Sequence, residues 1–143
     1  PLRLVGSEMC IETVRDLIAY TEQQVKTLKK PNTKPLATAL DPILLAMGHG
    51  AGIGNDQISD LYEDNGKLRI TTYFVVKGCE CDNRFEIPSE ILDAEDPVHA
   101  AKLLHAQQRV ETASKGLAQA KLSVVSYEQL LKKSQQDLLE LSQ

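Results

Sequence analysis

Leucine or valine recurs at every seventh residue through the last third of the chain, at Leu103, Val110, Leu117, Val124, Leu131 and Leu138. A second column, Ala106, Ala113, Ala120, Tyr127, Ser134 and Leu141, follows each of these by three. This three–four alternation is the a/d seam of a left-handed coiled coil, held in phase over six heptads. Asp96 and Pro97 mark its start, because an aspartate can cap the first turn and a proline at the first position has no needed N–H to lose. The predicted helix runs from Pro97 to Leu141 and is about 65–70 Å long at 1.5 Å per residue. Gly116 is its one candidate breaker. A mid-helix glycine costs about 1 kcal/mol relative to alanine, and the heptad phase passes through it unchanged, so a continuous helix is expected rather than a helical hairpin.

A helix of that length would overhang a domain built from the residues before it, about 30 Å across, and would leave its seam wet. The seam therefore calls for a partner. Leu103, Ala106, Val110, Ala113, Leu117, Ala120, Val124, Tyr127, Leu131 and Leu138 are the expected oligomer contacts. Three successive alanines in the d column allow close helix approach, and Tyr127 and Leu141 widen the seam beyond them. Leu104, Ala118, Val125 and Leu139 at position b, with Leu130 at g, broaden the apolar stripe. One flank is expected to pack on the first helix of the same chain while the seam meets a second copy. The e and g residues (Gln107, Arg109, Lys121, Glu128, Asp137) show no clear charge code and leave parallel and antiparallel pairing both open.

The residues before position 97 predict a small α+β part. Apolar Ile11, Val14, Leu17, Ile18, Val25 and Leu28 describe an amphipathic helix over residues 11–30, with Glu12 early, Lys26, Lys29 and Lys30 late, and Pro31 ending it. Asp41 as cap with Pro42 at the first position predicts a short helix over 42–47, closed by Gly48. Residues 48–55 place glycine at every second position and read as a loop. Asn65-Gly66 between apolar runs is a hairpin signal joining strands over 58–63 and 67–77. A third strand is expected over 84–87, after a turn within 78–83 that holds Cys79 and Cys81, and Pro88 stops it. Residues 89–93 read as one helical turn. The expected fold is thus α+β and mainly helical: an N-terminal amphipathic helix, a small antiparallel hairpin or three-stranded sheet, and the long coiled-coil-like helix. The expected division is a leader at 1–8 with the character of an expression-tag remnant, a globular part at 9–96 and the helix at 97–143.

Composition narrows the function classes. A formal net charge of −4 argues against a phosphate-dominated nucleic-acid binder, which carries a basic face. With aromatics at 4% and no tryptophan, the core must rest on aliphatic side chains. No apolar run reaches the 18 or so residues a membrane helix needs, and no charged-then-apolar leader is seen. Cys10, Cys79 and Cys81 are an odd set, expected to be reduced thiols in the cytoplasm.

Few residues suggest chemistry. Cys79 and Cys81, two apart, supply half of a tetrahedral zinc set, and Cys10, His49, His99 and His105 are too scattered to complete it, so no metal is expected. Gly48, His49, Gly50, Gly52, Gly54 and Asn55 form a possible ligand loop, whose backbone N–H groups could cradle an anion. That loop lacks the lysine and hydroxyl of a phosphate loop and the spacing of a dinucleotide fingerprint. His49 has no nucleophile or orienting carboxylate close by in sequence, and His99 and His105 lie about 240° apart round the helix. Lys26, Lys29, Lys30 and Lys34 form a small basic cluster, read as a helix-end complement. The expectation is a cytoplasmic, non-enzymatic adaptor or inhibitor without cofactors, which binds itself, as a dimer or higher oligomer, and another protein. A small-ligand or nucleotide module using the glycine loop is the alternative. A nucleic-acid-associated regulator acting through the lysine cluster comes third.

Overall fold

The computed structural model describes residues 3–5, 8–10, 13–50 and 52–143. The chain is α+β and mainly helical, as its patterning predicts, and divides into two units, Pro1–His105 and Ala106–Gln143.

β1 (Arg3–Val5), in the segment set apart as a leader, pairs antiparallel with β2 (Glu8–Cys10), which extends beyond it. Helix α1 spans Val14–Thr27, and Thr13 caps it by accepting a hydrogen bond from the Asp16 amide at 3.1 Å. The expected start at Ile11 and Glu12 lies outside the described residues. At the other end α1 stops sooner than Pro31 implies, because Leu28 is extended (φ −113°, ψ 144°) and half-exposed. With no core contact to hold Leu28, and with the residue before a proline disfavoured in helix, nothing carries the helix through Lys29 and Lys30.

The largest departure from expectation is α2, which runs Lys34–Ala46 with Pro35 in its first turn and Pro42 inside it. Asp41 is not its cap. An interior proline costs about 3 kcal/mol or more. Against this, Leu36, Leu40, Ile43 and Leu44 are almost wholly buried on one face, and each such side chain contributes about 1.5–3 kcal/mol. Burial wins. Pro42 and Thr38, the residue four before it, are both exposed, so the missing hydrogen bond falls on the wet side. The helix closes as expected at Gly48 (φ 95°), with the His49 amide donating to the Leu44 carbonyl at 3.2 Å and the Gly48 amide to that of Leu45 at 3.1 Å.

Three antiparallel strands follow in the order β3 (Gln57–Asp64), β4 (Lys67–Val76) and β5 (Cys79–Pro88). Asn65 (φ 51°) and Gly66 (φ 73°) make the first two-residue turn. The second turn is Lys77-Gly78, with φ of 52° and 79°. It comes earlier than expected, so β5 begins at Cys79, and Cys79 and Cys81 lie on a strand opposite Val76 and Phe74, not in a turn. A bulge between Ile58 and Asp60 reconciles two core residues three apart. In an unbroken strand Ile58 and Leu61 would face opposite ways; with the bulge both are buried. The outer face is polar and carries the cross-strand pair Arg69–Glu86, with Lys67 also at 3.4 Å from Glu86.

The core joins α2 to Ile58, Leu61, Leu68, Ile70 and Ile87 of the sheet, Ile53 of the glycine loop, and Ile91 and Leu92 of α3 (Ser89–Leu92). Ile18 of α1 completes one side. Helix α4 spans Pro97–Leu141 without a break at Gly116, and Asp96 caps it by accepting from the His99 amide at 3.1 Å. The first unit ends at His105, beyond Asp96, because Ala101 is fully buried and Val98 and Leu104 pack on the core.

Arg15 ties three elements together from the rim of this core. Its Nε donates to Asp93 Oδ1 at 2.6 Å and an Nη donates to Oδ2 at 3.1 Å, while its other Nη pairs with Glu63 of β3. Those hydrogen bonds hold the Asp93 carboxyl below its usual range, outweighing partial desolvation. A depressed folded-state pKa means that the stabilisation is complete above the ordinary carboxylate value and fades as pH falls through the lowered one. Urea midpoints of wild type and Asp93→Asn, measured from pH 7 downward, should therefore differ by a constant amount to about pH 4 and converge below it. A gap that persisted at pH 2 would show that Asp93 contributes through shape rather than charge.

Candidate interaction surface

Helix α4 presents different faces to the core and to solvent. At about 100° per residue, Ala101 lies roughly 160° round the helix from Leu103. Ala101 is 0% exposed and Leu103 is 53% exposed. The side of α4 that packs on the core is thus opposite the a column, and the seam already faces solvent where the helix belongs to the first unit. Leu104, at position b, packs on the core, so the broadened stripe is intramolecular at its start.

In the second unit, Ala106–Gln143, every residue is exposed. Val110, Leu117, Val124, Leu131 and Leu138 form one open apolar column, and Tyr127 in the neighbouring column is 72% exposed. Scattered apolar residues on a protein surface are ordinary, whereas these recur at every seventh position over five heptads. Within the first unit, the apolar face of α1 lies against α2 and β3. A Lys115–Glu111 pair at 2.9 Å, one turn apart, supports the helix on its polar side.

The glycine loop is built into the first unit. A side chain at Gly52 would collide with the Asp41 carboxylate, and one at Gly48 would meet the His105 imidazole. Asp41 Oδ1 accepts the Gly54 amide hydrogen at 2.9 Å, which makes Asp41 the loop's anchor rather than a helix cap. Between them Ile53 is fully buried. His49 stacks its ring edge-to-face on Phe85, centroids 5.1 Å apart. Gly50 alone has open space where a side chain would stand.

The loop's far end meets the lysine cluster. Lys30, Asn32 and Lys34 line a surface depression of about 460 Å³ with Gly54, Asn55 and Asp56. Lys26 is engaged elsewhere, 3.0 Å from Glu22 on its own helix. Cys79 is exposed and Cys81 half-buried, both as free thiols. Among the described residues no three His, Cys, Asp or Glu side chains stand together as a metal set, and His99 is exposed. The Arg15–Asp93–Glu63 cluster was not legible in sequence, because its members lie 78 and 48 residues apart and carry no spacing signal.

No protein-family model matches the chain, and neither a curated protein nor a solved structure is similar to it. No helix among the described residues is long and apolar enough to cross a membrane.

The two inner glycines of the loop allow a sharp contrast. Gly52→Ala should destabilise the chain by about 2–4 kcal/mol, since backbone or Asp41 must shift and the Gly54 hydrogen bond is lost with it. Gly50→Ala should change stability by less than about 0.5 kcal/mol. Equal thermal midpoints for the two variants would show that the Asp41 contact does not shape the loop.

Proposed function

We propose that this chain is a non-enzymatic, protein-binding adaptor or inhibitor that acts as a homo-oligomer through α4. The observation that supports this reading is the a/d stripe of α4, exposed along its length. Leaving it in water forfeits the burial of ten or so apolar side chains, and a second helix laid along it recovers that burial. We place the protein in the cytoplasm, where Cys79 and Cys81 stay reduced. Replacing both Val110 and Val124 with Glu buries two charges per helix within the seam, so light scattering should show a dimer for wild type and a monomer for the variant at micromolar concentration. A monomeric wild type, or an unchanged mass for the variant, would remove the oligomer from the proposal.

A small-ligand module is the second reading, supported by the depression that brings Lys30 and Lys34 together with Gly54 and Asn55. A phosphate-bearing ligand binding there would raise the thermal midpoint in proportion to ligand excess over Kd. The rise should vanish in Lys30→Ala/Lys34→Ala. No shift across a panel of nucleotides and inorganic phosphate would dismiss this reading.

A further inference from the structure

We infer that α4 pairs with a second copy of itself in antiparallel orientation, about a two-fold axis passing between Val125 and Ser126. The inference rests on the oligomer reading above and adds to it the direction and register of the two chains.

The small and large residues of the two columns carry the argument. In a parallel pair each residue faces its own copy, so the d layers are Ala113 on Ala113, Ala120 on Ala120, Tyr127 on Tyr127 and Ser134 on Ser134. Two-alanine layers leave voids beside a two-tyrosine layer that forces the helices apart, and a close-packed seam tolerates neither. In an antiparallel pair each a residue faces a d residue. With the axis at 125/126, Ala113 faces the partner's Leu138 and Ala120 faces the partner's Leu131. Leu117 meets the partner's Ser134, Val124 the partner's Tyr127 and Val110 the partner's Leu141. Ala113, Ala120 and Ser134 then each stand opposite a leucine, and Tyr127 stands opposite the smaller valine. Large against small at every such layer keeps the helix separation even.

Charge selects the same register. Position e of one antiparallel helix flanks position e of the other, and here Lys121 faces the partner's Glu128 on both sides of the axis. No ion pair within the chain, among the described residues, occupies either side chain. Both are exposed. A slide of one heptad in one direction sets Lys121 against the partner's Lys121; in the other it sets Glu128 against the partner's Glu128. The first slide brings Arg109 to the partner's Asp137, but it also mismatches the seam, with Val110 on Ser134 and Leu117 on Tyr127. In a parallel pair Lys121 and Glu128 would face Gly116 and Ser123, with no charge to read. The helix dipoles also oppose one another favourably in the antiparallel pair.

Two measurements on the full chain test this. In sedimentation equilibrium, Lys121→Glu and Glu128→Lys should each weaken the dimer about tenfold, by turning two attractive cross-chain pairs into two repulsive ones. The double variant should return to within about threefold of wild type, which also controls for any effect of either change on the helix itself. Spin labels at Gln108→Cys or Gln129→Cys, in a chain with Cys10, Cys79 and Cys81 replaced by serine, report direction. The axial offset between the two labels is about 50 Å at position 108 and about 10 Å at position 129 for this register. A parallel dimer gives the same short distance at both positions. Equal distances, or a double variant no better than the singles, would overturn the register while leaving the dimer in place. A monomeric wild type would overturn the oligomer reading itself.

Discussion

Helix α4 enters the first unit with Val98, Ala101 and Leu104 against the core, and an α-helix advances about 100° per residue. Those two facts together send Leu103, the first residue of the a column, to the opposite side. The core that holds the start of the helix therefore leaves the start of the seam in solvent. A residue as small as Ala101 at the contact is wholly buried there, with Val98 and Leu104 beside it. The same helix carries an exposed leucine and valine column.

The first unit shows how burial overrides local preference. Pro42 ought to begin a helix, and Asp41 ought to cap it. Instead the apolar face formed by Leu36, Leu40, Ile43 and Leu44 extends the helix back to Lys34 and leaves Asp41 free to accept the Gly54 amide. That single hydrogen bond, with Gly52 pressed on the same carboxylate, shapes the glycine loop and drives Ile53 into the core. The alternation of glycines thus has separate causes: a helix end with close approach to His105 at Gly48, carboxylate contact at Gly52, and open space at Gly50.

The sheet resolves a similar conflict with a bulge. Ile58 and Leu61 cannot both face the core in a regular strand, and the extra residue between them turns both inward. On the far side of the sheet, Arg69, Glu86 and Lys67 form exposed pairs that contribute little energy but keep that face wet. Arg15 does more, because its planar guanidinium reaches Asp93 with two hydrogen bonds and Glu63 with a third group at once. It joins α1 to the end of α3 and to β3.

Local signals sufficed where one short stretch carried both cause and effect. Asp96-Pro97 starts α4, Asn65-Gly66 makes the first hairpin, Gly48 closes α2, and the heptads run through Gly116 without a break. Each depends on residues within a turn or two, so sequence alone determined it. Tertiary structure decided what depends on distant burial. The length of α2 across Pro42 was settled by a core that includes Ile87 and Ala101, and the start of β5 at Cys79 by pairing with Val76. The strand bulge, the Asp41 anchor and the Arg15 cluster likewise join residues far apart in the chain. Sequence determined that α4 carries an apolar stripe. Only the packing of Ala101 decided which way its first residue, Leu103, faces, because periodicity sets the angle between two faces of a helix but not which of them the core will take.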